Sequence, residues 1–177
     1  VIDPKNIVIL IATGTHRENT KSEILTILGP EIPKTCRVIN HNARDQQSLS
    51  YLGKMGKNVP VYLNKIWLEA DYRITTGFVE PHFFAGFSGG PKMVSPGLAG
   101  IETVLILHNS ERIKHPLSKW GIIDGNPIQD DIRSICIETG VDFSIDVTLN
   151  KFQEITGVFA GNTGVHEYLT SSPETKA

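Results

Sequence analysis

The chain has 177 residues, 40% of them apolar, which is enough to bury a core and fits one domain of ordinary size. A formal charge of -2, with both signs mixed along the chain, supplies neither the basic stripe that draws nucleic acid nor a polybasic segment for a membrane surface. The longest apolar runs, residues 7–12 and 104–107, fall far short of the roughly 20 residues that span a bilayer.

In chain order, residues 6–12 are continuously apolar and rich in β-branched side chains, the pattern of a strand covered on both faces. The run ends in Thr13-Gly14-Thr15-His16-Arg17. Residues 20–28 follow as a helix, with Thr20 as N-cap and Glu23 three residues on as its capping-box partner. Short strands are expected at residues 36–40, 50–55 and 59–63, the second weakened by Gly53 and Gly56. Residues 72–76 form another strand, and the Gly- and Pro-rich stretch 77–97 comes directly after it. A loop of about 20 residues inside a compact domain is uncommon and tends to be functional.

Residues 98–107 are helical by apolar content, with 104–107 also readable as strand, whereas residues 126–139 carry clear stop and start signals: Asn126 as cap, Pro127 in the first turn and Gly140 at the end. Residues 143–149 and 154–159 are closing strands, and a helical start follows at 163–169. Strands alternating with helices indicate an α/β domain over residues 1–170, a mixed, mostly parallel, Rossmann-like sheet with flanking helices. The polar residues 171–177 are an expected exposed tail. Because the first strand begins so close to residue 1, which is Val rather than Met, earlier strands of the same sheet are expected to be absent from this chain. No secretory signal is visible, and Cys36 and Cys136 lack metal-ligand spacing, so both are read as buried, reduced thiols of a cytoplasmic protein.

Three places could carry chemistry. His16 sits where a buried strand gives way to a helix, the kind of position at which open α/β sheets bind ligands, and its imidazole could act as a general base; a local turn role is the alternative. The stretch Glu80-Pro-His-Phe-Phe-Ala-Gly-Phe-Ser-Gly-Gly-Pro-Lys92 has glycines that let backbone approach a ligand and amides that could cradle an anion. It is neither a Walker loop nor a dinucleotide fingerprint, because Pro91 intervenes before Lys92 and Met93 follows. Phe83, Phe84 and Phe87 could cover a planar ring or plug the loop onto the core. His108 ends an apolar run and could present a nitrogen to a metal. His41, His115 and His166 lie in polar surroundings and are read as surface residues.

Taken together, His16 in Thr-Gly-Thr-His-Arg, His82 in Glu-Pro-His, Lys92 in Ser-Gly-Gly-Pro-Lys and His108 in Leu-His-Asn resemble the signature of the nickel-pincer lactate racemases, over residues 6–162. The resemblance implies a piece of a two-domain enzyme whose cofactor is a pyridinium mononucleotide with thioamide and thiocarboxylate arms that pincer nickel. It implies a covalent link through Lys92, His108 as nickel ligand, and His16 and His82 as paired acid/base groups. Phe84, Ser88, Gly89 and Gly90, on the same loop, are the accompanying candidates for cofactor contact. The substrate class implied is a 2-hydroxy acid, racemised or epimerised by proton-coupled hydride transfer, with cofactor-biosynthesis enzymes as partners. The family's earlier segment, with an Asp and an Arg near the cofactor, and its second domain have no counterpart here, so the chain alone is expected to be inactive. A complete enzyme using neutral imidazole is expected to lose activity below about pH 6. Two other readings stay open: a nucleotide- or phosphate-binding module built on residues 86–92, and a zinc hydrolase using His16, His82 and His108.

Overall fold

The structure, a computed structural model, describes residues 2–161. In chain order these form β1 (Val8–Ile11), α1 (Lys21–Leu28), α2 (Ile32–Thr35), β2 (Arg37–Asn40), β3 (Leu49–Met55), β4 (Val59–Asn64), α3 (Lys65–Glu69) and β5 (Ile74–Phe78). Then come β6 (Pro81–His82), β7 (Gly86–Phe87), α4 (Pro91–Val94), α5 (Ile101–Leu107), α6 (Ser110–Ile113), α7 (Pro127–Thr139), β8 (Phe143–Leu149) and β9 (Ile155–Gly161). The helix expected at 163–169, His166 and the tail at 171–177 lie outside the described residues.

Local chemistry sets the helix ends. The Thr20 hydroxyl accepts the Glu23 amide while the Glu23 carboxylate accepts the Thr20 amide at 2.7 Å, closing the capping box of α1. Asn126 caps α7 by accepting the amides of Ile128 and Gln129, Pro127 fills the first turn, and Gly140 takes a positive φ of 80° at the far end. Residues 104–107 are helical, as part of α5.

The α/β class and the flanking helices hold, but the sheet is divided and its pairing needs correcting. β1 and β2 run parallel, as do β5 and β8, whereas β9 joins β8 antiparallel and β3–β4 and β6–β7 are antiparallel hairpins. Two ladders of five among the described residues are therefore parallel, not most of them. Connection length is the reason: residues 56–58 and 150–154 are too short for a crossover, which takes a dozen residues or more. Nor is the first strand covered on both faces, since Ile7 and Val8 are 39% and 38% exposed.

The core lies between the β3–β4 hairpin and the helices. Val59, Val61 and Leu63 of β4 meet Val104 and Leu107 of α5, Val94 of α4, and Ile128, Ile132 and Ile135 of α7. A smaller cluster, Val79, Phe87 and Ile123 with Phe159 against it, pins the long loop after β5. No helix among the described residues is long and apolar enough to cross a membrane.

Candidate active site

Residues 77–97 run from the end of β5 to the segment before α5, and their shape is over-determined by close contacts. Gly86 adopts φ +82°, and a Cβ there would come to 2.1 Å of the Ile122 carbonyl oxygen, so only glycine fits. The Asn126 side-chain amide, besides capping α7, donates to the Phe84 carbonyl at 2.8 Å. One residue thus ties the helix to the tip of the small β6–β7 hairpin. At that tip the Nδ1 of His82 accepts the Phe84 and Ala85 amides at 3.3 and 3.2 Å. A ring nitrogen that accepts carries no proton, so neutral His82 holds its hydrogen on Nε2.

The next turn sets Lys92. Gly89 and Gly90 both have positive φ, 89° and 37°, and the Gly90 amide donates to the Asp146 carboxylate of β8 at 3.1 Å. Pro91 then begins α4, with the Lys92 amide on the Gly89 carbonyl and the Gly97 amide on the Lys92 carbonyl, both at 3.0 Å.

His82, Lys92 and His108 share one electrostatic neighbourhood. Burial, followed by the nearby charges of Lys92 and His108, pulls the His82 imidazole down to about 4. Burial pulls the Lys92 ammonium down to about 8, against an opposing pull from Glu80, so a substantial share of this amine is neutral and nucleophilic near pH 7.5. His108 caps the C-terminus of α5, and its Nδ1 donates to the Val104 carbonyl at 2.9 Å. That bond puts the hydrogen on Nδ1 and leaves the lone pair on Nε2.

His16 stands on a different wall. Its side chain is exposed, on a turn in which the His16 amide donates to the Thr13 carbonyl. That turn lines an open cavity of about 260 Å³ together with Arg17, His41 and Arg44. The Gly14 amide donates to the Gly97 carbonyl at 2.9 Å, which docks the His16 turn onto the segment leaving Lys92. Of the four residues read from the sequence, Lys92 and His108 lie near enough to His82 for their charges to act on its ring, and the His16 turn is tied by one backbone bond to the segment that follows Lys92.

Residues 1–121 match the family model of the lactate racemase N-terminal domain. The chain belongs to the lactate racemase N-terminal domain family. It is 35% identical over 158 residues to the lactate racemase of Thermoanaerobacterium thermosaccharolyticum, covering 89% of this chain and 37% of that protein. It is 36% identical over 154 residues to the lactate racemase of Lactiplantibacillus plantarum, covering 87% of this chain and 36% of the relative. The solved lactate racemase apoprotein of the first organism superposes with a TM-score of 0.90 at 33% identity, over 93% of this chain and 40% of that one. The chain thus spans well under half the length of these relatives.

Within this lactate racemase N-terminal domain the other loop candidates divide. Phe84 is partly buried on the main core, edge-on to His82 with ring centroids 6.3 Å apart, and Phe87 is buried. Phe83 is 63% exposed and stands edge-on to Trp120 at 4.8 Å. The Ser88 hydroxyl donates to the Phe78 carbonyl and accepts the Glu80 amide, both at 3.0 Å, fastening the loop to the end of β5. With the amides of Gly90, Lys92 and Met93 all engaged inside the chain, the run of free amides that a phosphate cradle requires does not form here. The zinc reading loses its ligand set as well, since no group of three His, Cys, Asp or Glu that could hold a metal occurs among the described residues.

Two sequence readings are corrected and one residue is added. His41 is 1% exposed rather than superficial: Nδ1 accepts the Asn64 side-chain amide at 3.2 Å and Nε2 donates to the Ala99 carbonyl at 2.9 Å. A polar neighbourhood in sequence says nothing of what packs over a residue in space. Cys36 is only partly buried, while Cys136 is buried as expected and its thiol is pushed up to about 12. Asp146, 1% exposed, escaped the sequence reading; its one signal is a carboxylate alternating with the apolar residues of Phe143–Leu149.

Proposed function

We propose that this chain carries the cofactor-holding part of a nickel-pincer-nucleotide-dependent racemase or epimerase of a 2-hydroxy acid. The observation that carries the reading is the grouping of Lys92, His82 and His108 in a lactate racemase N-terminal domain, with the Lys92 amine lowered to about 8.

The donor set suits such a group. Lys92 offers a largely desolvated amine for covalent attachment, and His108 offers one imidazole nitrogen oriented by the Val104 carbonyl. One protein nitrogen would suffice for a nickel ion whose remaining ligands came from the cofactor. When bound, the nucleotide would supply hydride acceptance and return at the α-carbon of the substrate.

The chain's own residues would manage the proton. One of His16 and His82 takes the hydroxyl proton of the 2-hydroxy acid, and the other returns a proton to oxygen when hydrogen is delivered to the opposite face. Two such groups are needed because one imidazole reaches only one orientation of the hydroxyl. Phe84, Ser88, Gly89 and Gly90, on the same loop as Lys92, would be the further contacts to the cofactor. The enzymes that build the cofactor would be the chain's partners, with the cytoplasm as the compartment.

Co-expression with cofactor-making enzymes tests the attachment: the intact mass should rise by a cofactor adduct that a Lys92→Ala variant lacks, and equal masses would overturn it. A chiral assay of the full-length, loaded protein against a panel of 2-hydroxy acids then identifies the substrate.

A further inference from the structure

The Gly89-Gly90 turn has no side chains of its own to hold it, and Gly90 caps α4 without any side-chain bond. What fixes it comes from the sheet. Asp146 reaches across from β8 to accept the Gly90 amide at 3.1 Å on Oδ1, while Oδ2 accepts the Ser144 hydroxyl at 3.1 Å. Since Ser144 gives its hydrogen to the carboxylate, its 2.5 Å contact with Thr75 has Thr75 as donor. Thr75, Ser144 and Asp146 are 4%, 4% and 1% exposed, so a buried polar chain runs from β5 through β8 to the turn that precedes Lys92. The strand neighbour directly opposite Asp146 is Gly77. A Cβ there would sit 3.2 Å from the Asp146 Oδ1, tighter than side chains ordinarily pack, and at ordinary contact, 3.4 Å, from the Met93 sulfur, so a glycine opposite leaves the corridor that the carboxylate occupies.

We propose that Asp146 is a positioning residue for Lys92: by holding the Gly90 amide it fixes the turn that launches α4 and so the direction of the Lys92 side chain. What the Lys92 amine is used for rests on the proposed function, but its positioning does not.

The test measures the acetylation rate of Lys92 in the 177-residue chain at pH 7.5, using an N-hydroxysuccinimide ester and peptide mass spectrometry, with exposed Lys151 as internal reference. In Asp146→Ala the Lys92 rate relative to Lys151 should fall by about fivefold or more, as the amine swings into water and regains its proton. In Asp146→Asn, whose side chain can still accept the Gly90 amide, it should stay within about twofold. Gly77→Ala, which crowds the carboxylate without altering it, should fall in the same direction and carries the test if Asp146→Ala does not fold. Asp131→Asn is the control for general loosening, since Asp131 is an equally buried carboxylate held by Arg112 and the Lys57 amide. An unchanged Lys92 rate in both Asp146→Ala and Gly77→Ala, or an equal fall in Asp131→Asn, would overturn the assignment. No cofactor enters this measurement, so a rate that responds as expected in a chain that never acquires an adduct would sink the racemase reading alone.

Discussion

The Nδ1 of His108 donates to the carbonyl of Val104 one helical turn earlier, at 2.9 Å. A carbonyl only accepts, so the bond decides the tautomer: hydrogen on Nδ1, lone pair on Nε2. In the full-length, cofactor-loaded protein, His108→Ala should therefore lower nickel per chain by roughly tenfold or more, a ligand mattering at least as much as its outer-shell supports. The covalent adduct on Lys92 should survive the change. Metal analysis and intact mass read the two separately, and full nickel occupancy in His108→Ala would remove His108 from the metal's ligands.

Lys92 is held in its place against its own preference for water. Its folded-state pKa of about 8 lies below the 10.5 of an unhindered lysine, so between these values the unfolded chain binds more protons and stability rises with pH. Below pH 8 the penalty is fully present. Lys92→Met should thus be more stable than the parent at pH 7, by about 3 °C in Tm, the shift that roughly 1 kcal/mol gives a chain of this size. The advantage should shrink as pH climbs from 8 toward 10.5. Thermal melts at four pH values decide it, and a lysine no less stable than methionine at pH 7 would contradict the burial argument.

His41 provides a stability test away from the proposed chemistry. It is buried between the Asn64 amide and the Ala99 carbonyl, and burial lowers its pKa from 6.5. His41→Leu would leave two buried polar groups unpaired at about 1–3 kcal/mol each, so a loss of at least about 2 kcal/mol in chemical denaturation is expected. A loss under about 0.5 kcal/mol, typical of surface positions, would restore the superficial reading.

How much of this was legible beforehand depends on how local each signal is. The Thr20–Glu23 box, the Asn126 cap and the Gly140 stop are bonds between near neighbours in sequence, and each formed where the sequence placed it. Pairing direction and burial are not local. In β8 the apolar alternation points Ile145 outward at 38% exposure while Ser144 and Asp146 face inward, because the inward side meets the Gly90 turn rather than an apolar layer. His41 and Asp146 were missed for this one reason: their partners lie at Asn64, Ala99 and Gly90, far off along the chain. His16, His82, Lys92 and His108 were singled out by the resemblance of their motifs, and where they sit relative to one another became visible only with the fold.

The same logic fixes an expectation for His82. Its Nδ1 accepts two amides, so the resting ring is neutral with hydrogen on Nε2, and its pKa is lowered to about 4. A histidine lowered from 6.5 contributes fully to stability above pH 6.5 and loses that contribution as pH falls toward 4, where the folded ring finally protonates. In the 177-residue chain, nitrogen-15 NMR should find the His82 Nδ1 unprotonated from pH 8 down to about pH 5. His82→Gln should weaken the acid destabilisation between pH 6.5 and 4. To serve as a base through Nε2 the ring must first move its hydrogen to Nδ1, which breaks two bonds of 3.2 and 3.3 Å; these are long enough to be weak. The pH 6 limit expected from an ordinary histidine therefore does not apply to His82. A protonated Nδ1 at pH 6 would show that the hairpin tip does not hold the ring in this way.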